Sequence, residues 1–373
     1  MEVETSRFVV DPPFTFGFVP WQIRPPQDSL TVIAKGTFHL HPGEPATGEE
    51  EEGARQPVCG DLFHGGDPQR GCRYPSDFVA FKPRADLLLA GHCHPPGGEP
   101  CTSCDVTFRV GKASNTLKVF GHRWWQRQGR GWKMAEPRPF AEMELVWERA
   151  FGGPGFGRNP LGMGIAERLT PAGKKIRPLP NLEDPRDLIR SPGQLPNPAS
   201  FAPQAPGWEE RMRRLGTYDD KWLDERWPWF PADMDWGYFN AAPDGLQVPY
   251  LRGDEELFFG NLHPEHPRYV SRLPGLRARC FLVENLGGER RLREVEMKID
   301  TLWVDMDAEL LVLVWRGTAD VLSLEHEEIE RFLVVAEPLA EPPRPVDGYR
   351  ERMLPTMGPG FTPDEPFEEE PEP

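Results

Sequence analysis

The chain has 373 residues, 38% of them hydrophobic, with 44 prolines, 37 glycines and a formal net charge of -16. That length buries a core without covalent staples, and with no basic excess to displace counterions from phosphate, nucleic acid is excluded as a partner. Proline and glycine make up about a fifth of the chain, against roughly 12% in average proteins, which excludes long helices and favours short strands joined by stiffened loops.

Much of the acid is localised in one loop, Glu44 and Glu49 to Glu52, and in one tail, Asp364, Glu365, Glu368 to Glu370 and Glu372, so the remaining body is only mildly acidic. The first ten residues, MEVETSRFVV, lack the order of a signal peptide. The longest purely apolar run, Leu310 to Trp315, is too short to span a bilayer. A soluble, cytoplasmic protein with no membrane partner is expected, its six cysteines being thiols or metal ligands.

In chain order, Phe14, Phe16 and Phe18 alternate, and Leu30, Val32 and Ala34 continue through Phe38 and Leu40, predicting two half-buried strands before a solvated acidic loop. The apolar run Ala85 to Ala90 predicts a buried strand. Val106, Phe108 and Val110, then Leu117 and Val119 beyond a turn at Lys112 to Asn115, predict a hairpin. Met143, Leu145 and Trp147 predict a further strand, which gives way to six glycines between Gly152 and Gly164. That segment reads as an ordered loop of unusual backbone conformation, since glycine admits positive φ and close approach, while Arg149, Phe151, Phe156, Arg158 and Asn159 supply anchors or contacts to a partner.

From Leu161 to Pro267 repeated prolines forbid regular ladders, so the chain should run extended over the surface. Two short helices are predicted in it, one capped by Asp184 with Pro185 at its first position, the other running from Tyr218 to Arg226 under a Thr217 cap. Strands return with Val295, Met297 and Ile299, then Leu302, Val304 and Met306, and Leu310 to Trp315 reads as a central strand. Glu325 to Phe332 is read as a short helix, and disorder is expected from Glu337 onward.

The fold class is therefore mainly β: antiparallel sheets, sandwich- or barrel-like, with a long proline-rich, loop-dominated middle and a few short helices. Residues 1–150 form the N-terminal β region, 151–270 the wrapping region, 271–336 the C-terminal strands packing with the N-terminal region, and 337–373 a disordered acidic tail.

Several stretches in one order, among them VIAKGTFHL, YPSDFVAFKP, DLLLAGHCHPPGG, ERAFGGPGFGRNPLGMG, PLPNLEDPRDLIRSP and FNAAPDGLQVPYLRGDE, carry a resemblance from about Phe14 to about Val335. They resemble the type VI secretion adaptor family catalogued as domain of unknown function 2169. The resemblance implies a β-rich cytoplasmic protein that helps an effector with a PAAR-type tip domain mount on the spike protein of valine-glycine-repeat type, with no catalytic residue to carry over.

Two constellations suggest chemistry instead. His92, Cys93, His94, Cys101 and Cys104 have the residue types and spacing of zinc ligands. The cysteines lie outside the family pattern, however, and buried thiols with hydrogen-bonded histidines are the ordinary reading. Asp219, Asp220, Asp233 and Asp235 near Trp222, Trp227, Trp229 and Trp236 could serve a carbohydrate-active enzyme, although first-turn charges and packing tryptophans are the stronger explanation. The glycine loop lacks the lysine-serine or lysine-threonine ending of a phosphate cradle. The expectation is a non-catalytic adaptor or chaperone without cofactor or metal, with Arg149, Phe151, Phe156, Arg158 and Asn159 as partner-binding residues; the alternative is a metal-dependent or carbohydrate-active hydrolase.

Overall fold

The protein is seen in a computed structural model that describes residues 7–24, 27–48, 53–171, 173–286, 289–321, 329–349 and 352. Its largest sheet has seven strands and is centred on Leu310–Val321, whose apolar run is flanked antiparallel by Gln27–His39 on one side and Lys298–Asp305 on the other. Phe14–Arg24 forms one edge, and Ala85–Ala90, parallel to Lys298–Asp305, leads to the short strand Gln247–Val248 at the other, while Thr47–Gly48 pairs with the end of Gln27–His39. Two free edges mean that the sheet does not close into a barrel.

A five-stranded sheet is built round the hairpin Ser103–Val110 and Ala113–Phe120, with Leu182–Glu183 outside it on one side and Glu256–Gly260 and Arg268–Arg272 on the other. A four-stranded sheet orders Phe8–Val10, Ile329–Pro338, Leu276–Leu286 and Glu289–Val295. The expected alternation builds the core between them: Leu30, Val32, Phe38, Leu313 and Trp315 join Phe108 and Phe259 of the second sheet and Leu282 and Phe332 of the third in one buried cluster. Each such side chain contributes about 1.5–3 kcal/mol through burial.

The opposite face of the large sheet carries charges and is nevertheless buried. Lys35 pairs with Asp77 at 2.8 Å and Lys82 with Asp86 at 2.9 Å, all four side chains 3% exposed or less, and Arg316 pairs with Asp300. The irregular stretch 55–84 lies over this face, so its backbone must find partners there. Lys35 Nζ donates to Gln56 O at 3.1 Å, Arg316 Nη2 to Asp77 O at 2.7 Å, Thr31 Oγ1 to Ala80 O at 2.6 Å and Trp303 Nε1 to Arg73 O at 2.8 Å. Asp77 in turn accepts from Val58 N at 2.8 Å and Tyr74 OH at 2.7 Å. Asp86 does the same for a second covering strip, accepting from Ala241 N at 2.9 Å, Ala242 N at 3.2 Å and the Asn240 amide at 3.0 Å.

Several local expectations change. The Met143–Trp147 strand stops at Glu144, because Leu145, Val146 and Trp147 are all buried in succession and the chain turns through a 3-10 segment at Trp147–Arg149. The hairpin turn is tighter than expected, Val110 pairing with Ala113 around Gly111 at φ 54°. No helix follows Asp184: its carboxylate accepts from Arg186 N at 2.8 Å, and the Glu183 carboxylate takes Ile189 N at 2.8 Å, a donor that a helix would need. The helix Asp220–Glu225 is capped by Asp219, not Thr217, and a short helix at Glu209–Met212 was unforeseen.

Where a helix was expected over Glu325 to Phe332, the strand Ile329–Pro338 begins, and residues 322–328 lie outside the described residues. Order also continues past Glu337, through a 3-10 turn at Val346–Tyr349 whose Tyr349 is buried against Phe281, ring centroids 5.0 Å apart. Glu49 to Glu52, residues 350 and 351, and the tail from residue 353 onward lie outside the described residues.

The Asp77→Asn variant leaves the Lys35 ammonium buried without its counter-charge, a loss of about 3–5 kcal/mol readable as a lower guanidinium unfolding midpoint. Adding Lys35→Met should restore part of it; a double variant no more stable than Asp77→Asn shows that the charge pair is not what the site needs.

Candidate functional site

The glycine loop is held from within by Asn159, which is fully buried. Its Nδ2 donates to Trp147 O at 2.9 Å and Phe151 O at 3.0 Å, while its Oδ1 accepts from Leu161 N at 3.2 Å, so one side chain closes the loop on itself. The glycines are the consequence. A Cβ on Gly152, whose φ is +155°, would lie 2.2 Å from Asn159 O, and one on Gly162 would lie 2.5 Å from Asn159 Nδ2 and 2.6 Å from Ala150 O. Phe151 is 3% exposed and belongs to a small cluster with Trp125, Leu179 and Ile189. Phe156 leans edge-on against it at 5.4 Å.

Of the five residues singled out from sequence, Phe151 and Asn159 therefore shape the loop from inside. Arg149 is half-buried and reaches Asn181 Oδ1 at 3.5 Å. Phe156 is partly accessible, and Arg158 is exposed, its guanidinium 5.5 Å from the Phe156 ring centre and donating to Asn197 Oδ1. Arg158 forms one wall of a polar groove of about 470 Å³ floored by Trp147, whose other walls include Arg186, Asn197, Gln204 and Arg213. Trp147 Nε1 donates to Ala202 O and Pro203 O, both at 3.0 Å, tying the proline-rich stretch to the start of the glycine loop. Two cations of this groove are matched, Arg186 by Asp184 at 2.7 Å and Arg213 by Glu209, while Arg158 donates to the neutral amide oxygen of Asn197. The Arg186 hydrogen bonds hold the Asp184 carboxyl below its usual range.

The histidine and cysteine constellation is divided. Cys93 and Cys104 are buried in the main core and Cys101 packs against it; the Cys93 thiol, hydrogen-bonded to Cys104 and buried, is pushed up. His92 instead meets the Asp307 carboxylate at 2.9 Å. Among the described residues no group of three or more His, Cys, Asp or Glu side chains is arranged to hold a metal ion. The proposed carboxylate pairs are also engaged, Asp219 with Trp222 N at 2.8 Å, Asp233 with Thr217 N at 3.0 Å and Asp235 with Gly237 N at 2.8 Å.

Sequence reasoning missed the second wall. Prolines marked the stretch as extended and free of ladders, whereas Lys175–Pro178 and Glu256–Gly260 pair into sheets, and nothing in residue type said that Asn197 would bond Arg158 or that Gln204 would line the same groove.

Fold and groove together define a β-rich protein in which a glycine loop and a proline-rich strap border a polar cleft. The chain belongs to the family described as uncharacterized protein conserved in bacteria (DUF2169), whose model matches residues 26–316. No curated protein and no solved structure matches it. Among the described residues no helix is long and apolar enough to cross a membrane.

Two outcomes follow from this geometry. Gly162→Ala forces a methyl group into the Asn159 contacts and should cost about 1–3 kcal/mol in thermal unfolding, whereas Gly193→Ala, with open space around its Cβ, should leave stability nearly unchanged. His92 should titrate above an ordinary histidine because of its Asp307 hydrogen bond, and burial should place His94 below one. Since the folded pKa of His92 is raised, its contribution to stability is complete below the unfolded value of about 6.5 and is lost as pH rises through the folded value. NMR titration checks both histidines, and Asp307→Asn should abolish the rise at His92.

Proposed function

We propose that this chain is a non-catalytic adaptor that binds a type VI secretion effector through its PAAR-type tip domain and assists its loading onto the valine-glycine-repeat spike in the cytoplasm. The identity of the cargo and the compartment rest on the resemblance of the motifs. The observation that supports binding is the groove itself, a polar cleft of about 470 Å³ lined by Arg158, Asn197 and Gln204, whose side chains suit hydrogen bonding to a partner chain. Arg158 lines the groove, and the partly accessible Phe156 lies beside it outside the lining; both are of the types that dominate binding hot spots. Arg149, Phe151 and Asn159 support them by fixing the loop.

Co-expression with an effector carrying a PAAR-type tip domain, and with the tip domain alone, tests the reading. A complex should form, and Phe156→Ala with Arg158→Ala should weaken it at least ~tenfold, about 1.4 kcal/mol, at an unchanged melting temperature. Unchanged affinity moves the contact off the loop; no complex with either cargo overturns the adaptor reading.

A further inference from the structure

Residues 217–235 leave the sheets as a projection that stands on an aromatic footing, where Trp236 lies 5.3 Å from Trp21, 6.2 Å from Phe81 and 5.5 Å from Phe230. The projection is locked by its own hydrogen bonds. Thr217 Oγ1 donates to Asp233 Oδ2 at 2.7 Å across its base, Asp219 caps the helix Asp220–Glu225, Trp222 Nε1 donates to Trp229 O at 2.8 Å, and Arg226 Nη2 donates to Phe230 O at 2.9 Å. A segment fixed in this way has little conformational freedom left to lose on association.

None of these locks uses the side chains of Leu223 or Trp227, which are 56% and 62% exposed, and Tyr218 is 46% exposed although its ring rests on Trp222 at 4.6 Å. Trp227 is the one exposed tryptophan of the twelve in the chain. Apolar side chains scattered singly over a surface are ordinary; three on one short, self-locked projection are not scattered. Beside them stand the exposed carboxylates of Asp220, Asp224 and Glu225, against one exposed cation in the helix, Lys221, since Arg226 is turned back to Phe230 O.

We infer that this projection is a docking ridge for a cationic, amphipathic segment of a partner, in which lysine or arginine side chains flank apolar ones. Trp227 and Leu223 supply the desolvated centre of the contact, and Asp220, Asp224 and Glu225 its complementary rim. The inference rests on reading the chain as a binding protein but not on which secretion component it carries. A second copy fits less well, because two-fold pairing of this ridge sets like carboxylates against one another.

The test uses the full chain labelled with fluorotryptophan, the Trp227 resonance being assigned by its loss in Trp227→Phe. The probe is a synthetic peptide with lysine and leucine at amphipathic helical spacing, and the control replaces every lysine with glutamate. The lysine peptide should shift the Trp227 resonance. Its affinity, read by fluorescence anisotropy of labelled peptide, should fall with added salt and at least ~tenfold both in Leu223→Ala/Trp227→Ala and in Asp220→Asn/Asp224→Asn/Glu225→Gln, each variant keeping the parent melting temperature. Equal binding of the glutamate peptide, binding that leaves the Trp227 resonance in place, or indifference to both variants overturns the ridge. So does self-association that disappears in Trp227→Ala, which assigns the surface to a second copy. If co-expression with the effector fails while the lysine peptide still binds, the cargo is wrong and the ridge stands; the reverse result removes the ridge and leaves the adaptor.

Discussion

A buried stretch of irregular backbone must have every N–H and C=O satisfied by something other than a ladder, and this constraint organises the molecule. Residues 55–84 cover one face of the seven-stranded sheet without joining it, and the sheet answers with side chains: Lys35, Thr31, Arg316 and Trp303 donate to loop carbonyls, while the loop's own Asp77 accepts from Lys35, Val58 N and Tyr74 OH. The charges on that face are therefore fixed by the loop they serve. A buried ion pair adds little net stability by itself, because desolvation offsets the Coulomb attraction. Here the pairs hold one arrangement of loop on sheet, since a shifted loop would strand both carbonyls and ammonium.

The glycine loop solves the same problem with the opposite material. Its two ends pair as the short parallel strands Phe151–Gly152 and Met163–Gly164, its interior folds on the buried Asn159 amide, and glycines are needed where chain passes within contact distance of chain. The result is a loop that places Arg158 in the wall of a groove, with Phe156 beside it, while Phe151 anchors the loop to the small cluster around Trp125. In both regions polar side chains that look available in the sequence are consumed in holding backbone.

That is also the boundary of what could be read from sequence. Strands buried on both faces, such as Ala85 to Ala90 and Leu310 to Trp315, were legible because a short, continuous apolar run marks them. Lys35 was not, since a lysine opposite in parity to Leu30, Val32 and Ala34 reads as a solvent-facing residue, and only the covering loop makes it a buried one. Met143 to Trp147 failed for a related reason: its alternation was real, but Val146 is buried as well, so the chain is enclosed on both sides and turns where a one-faced strand would have continued. At the glycine loop the sequence announced order and unusual conformation. It could not say that Asn159 points inward and Arg158 outward, because residue type and spacing are the same for both roles.

The proline-rich middle was legible only as a wrapper, yet one stretch of it builds part of the groove wall and the projection. Asn197 to Gln204 wall the groove, and residues 217–235 form the projection. Between them the short helix Glu209–Met212 places Arg211 in the interior, 6% exposed, where its guanidinium donates to Gln204 O and to Tyr238 O, each at 2.9 Å. Burial lowers its pKa, and nearby Asp61 and Asp86 oppose that. A planar group with donors to two carbonyls on separate strips fixes their separation as well as their orientation. Arg211 thus ties the groove wall at Gln204 to the strip that follows the projection, so the chain between them is anchored at both ends by one buried side chain.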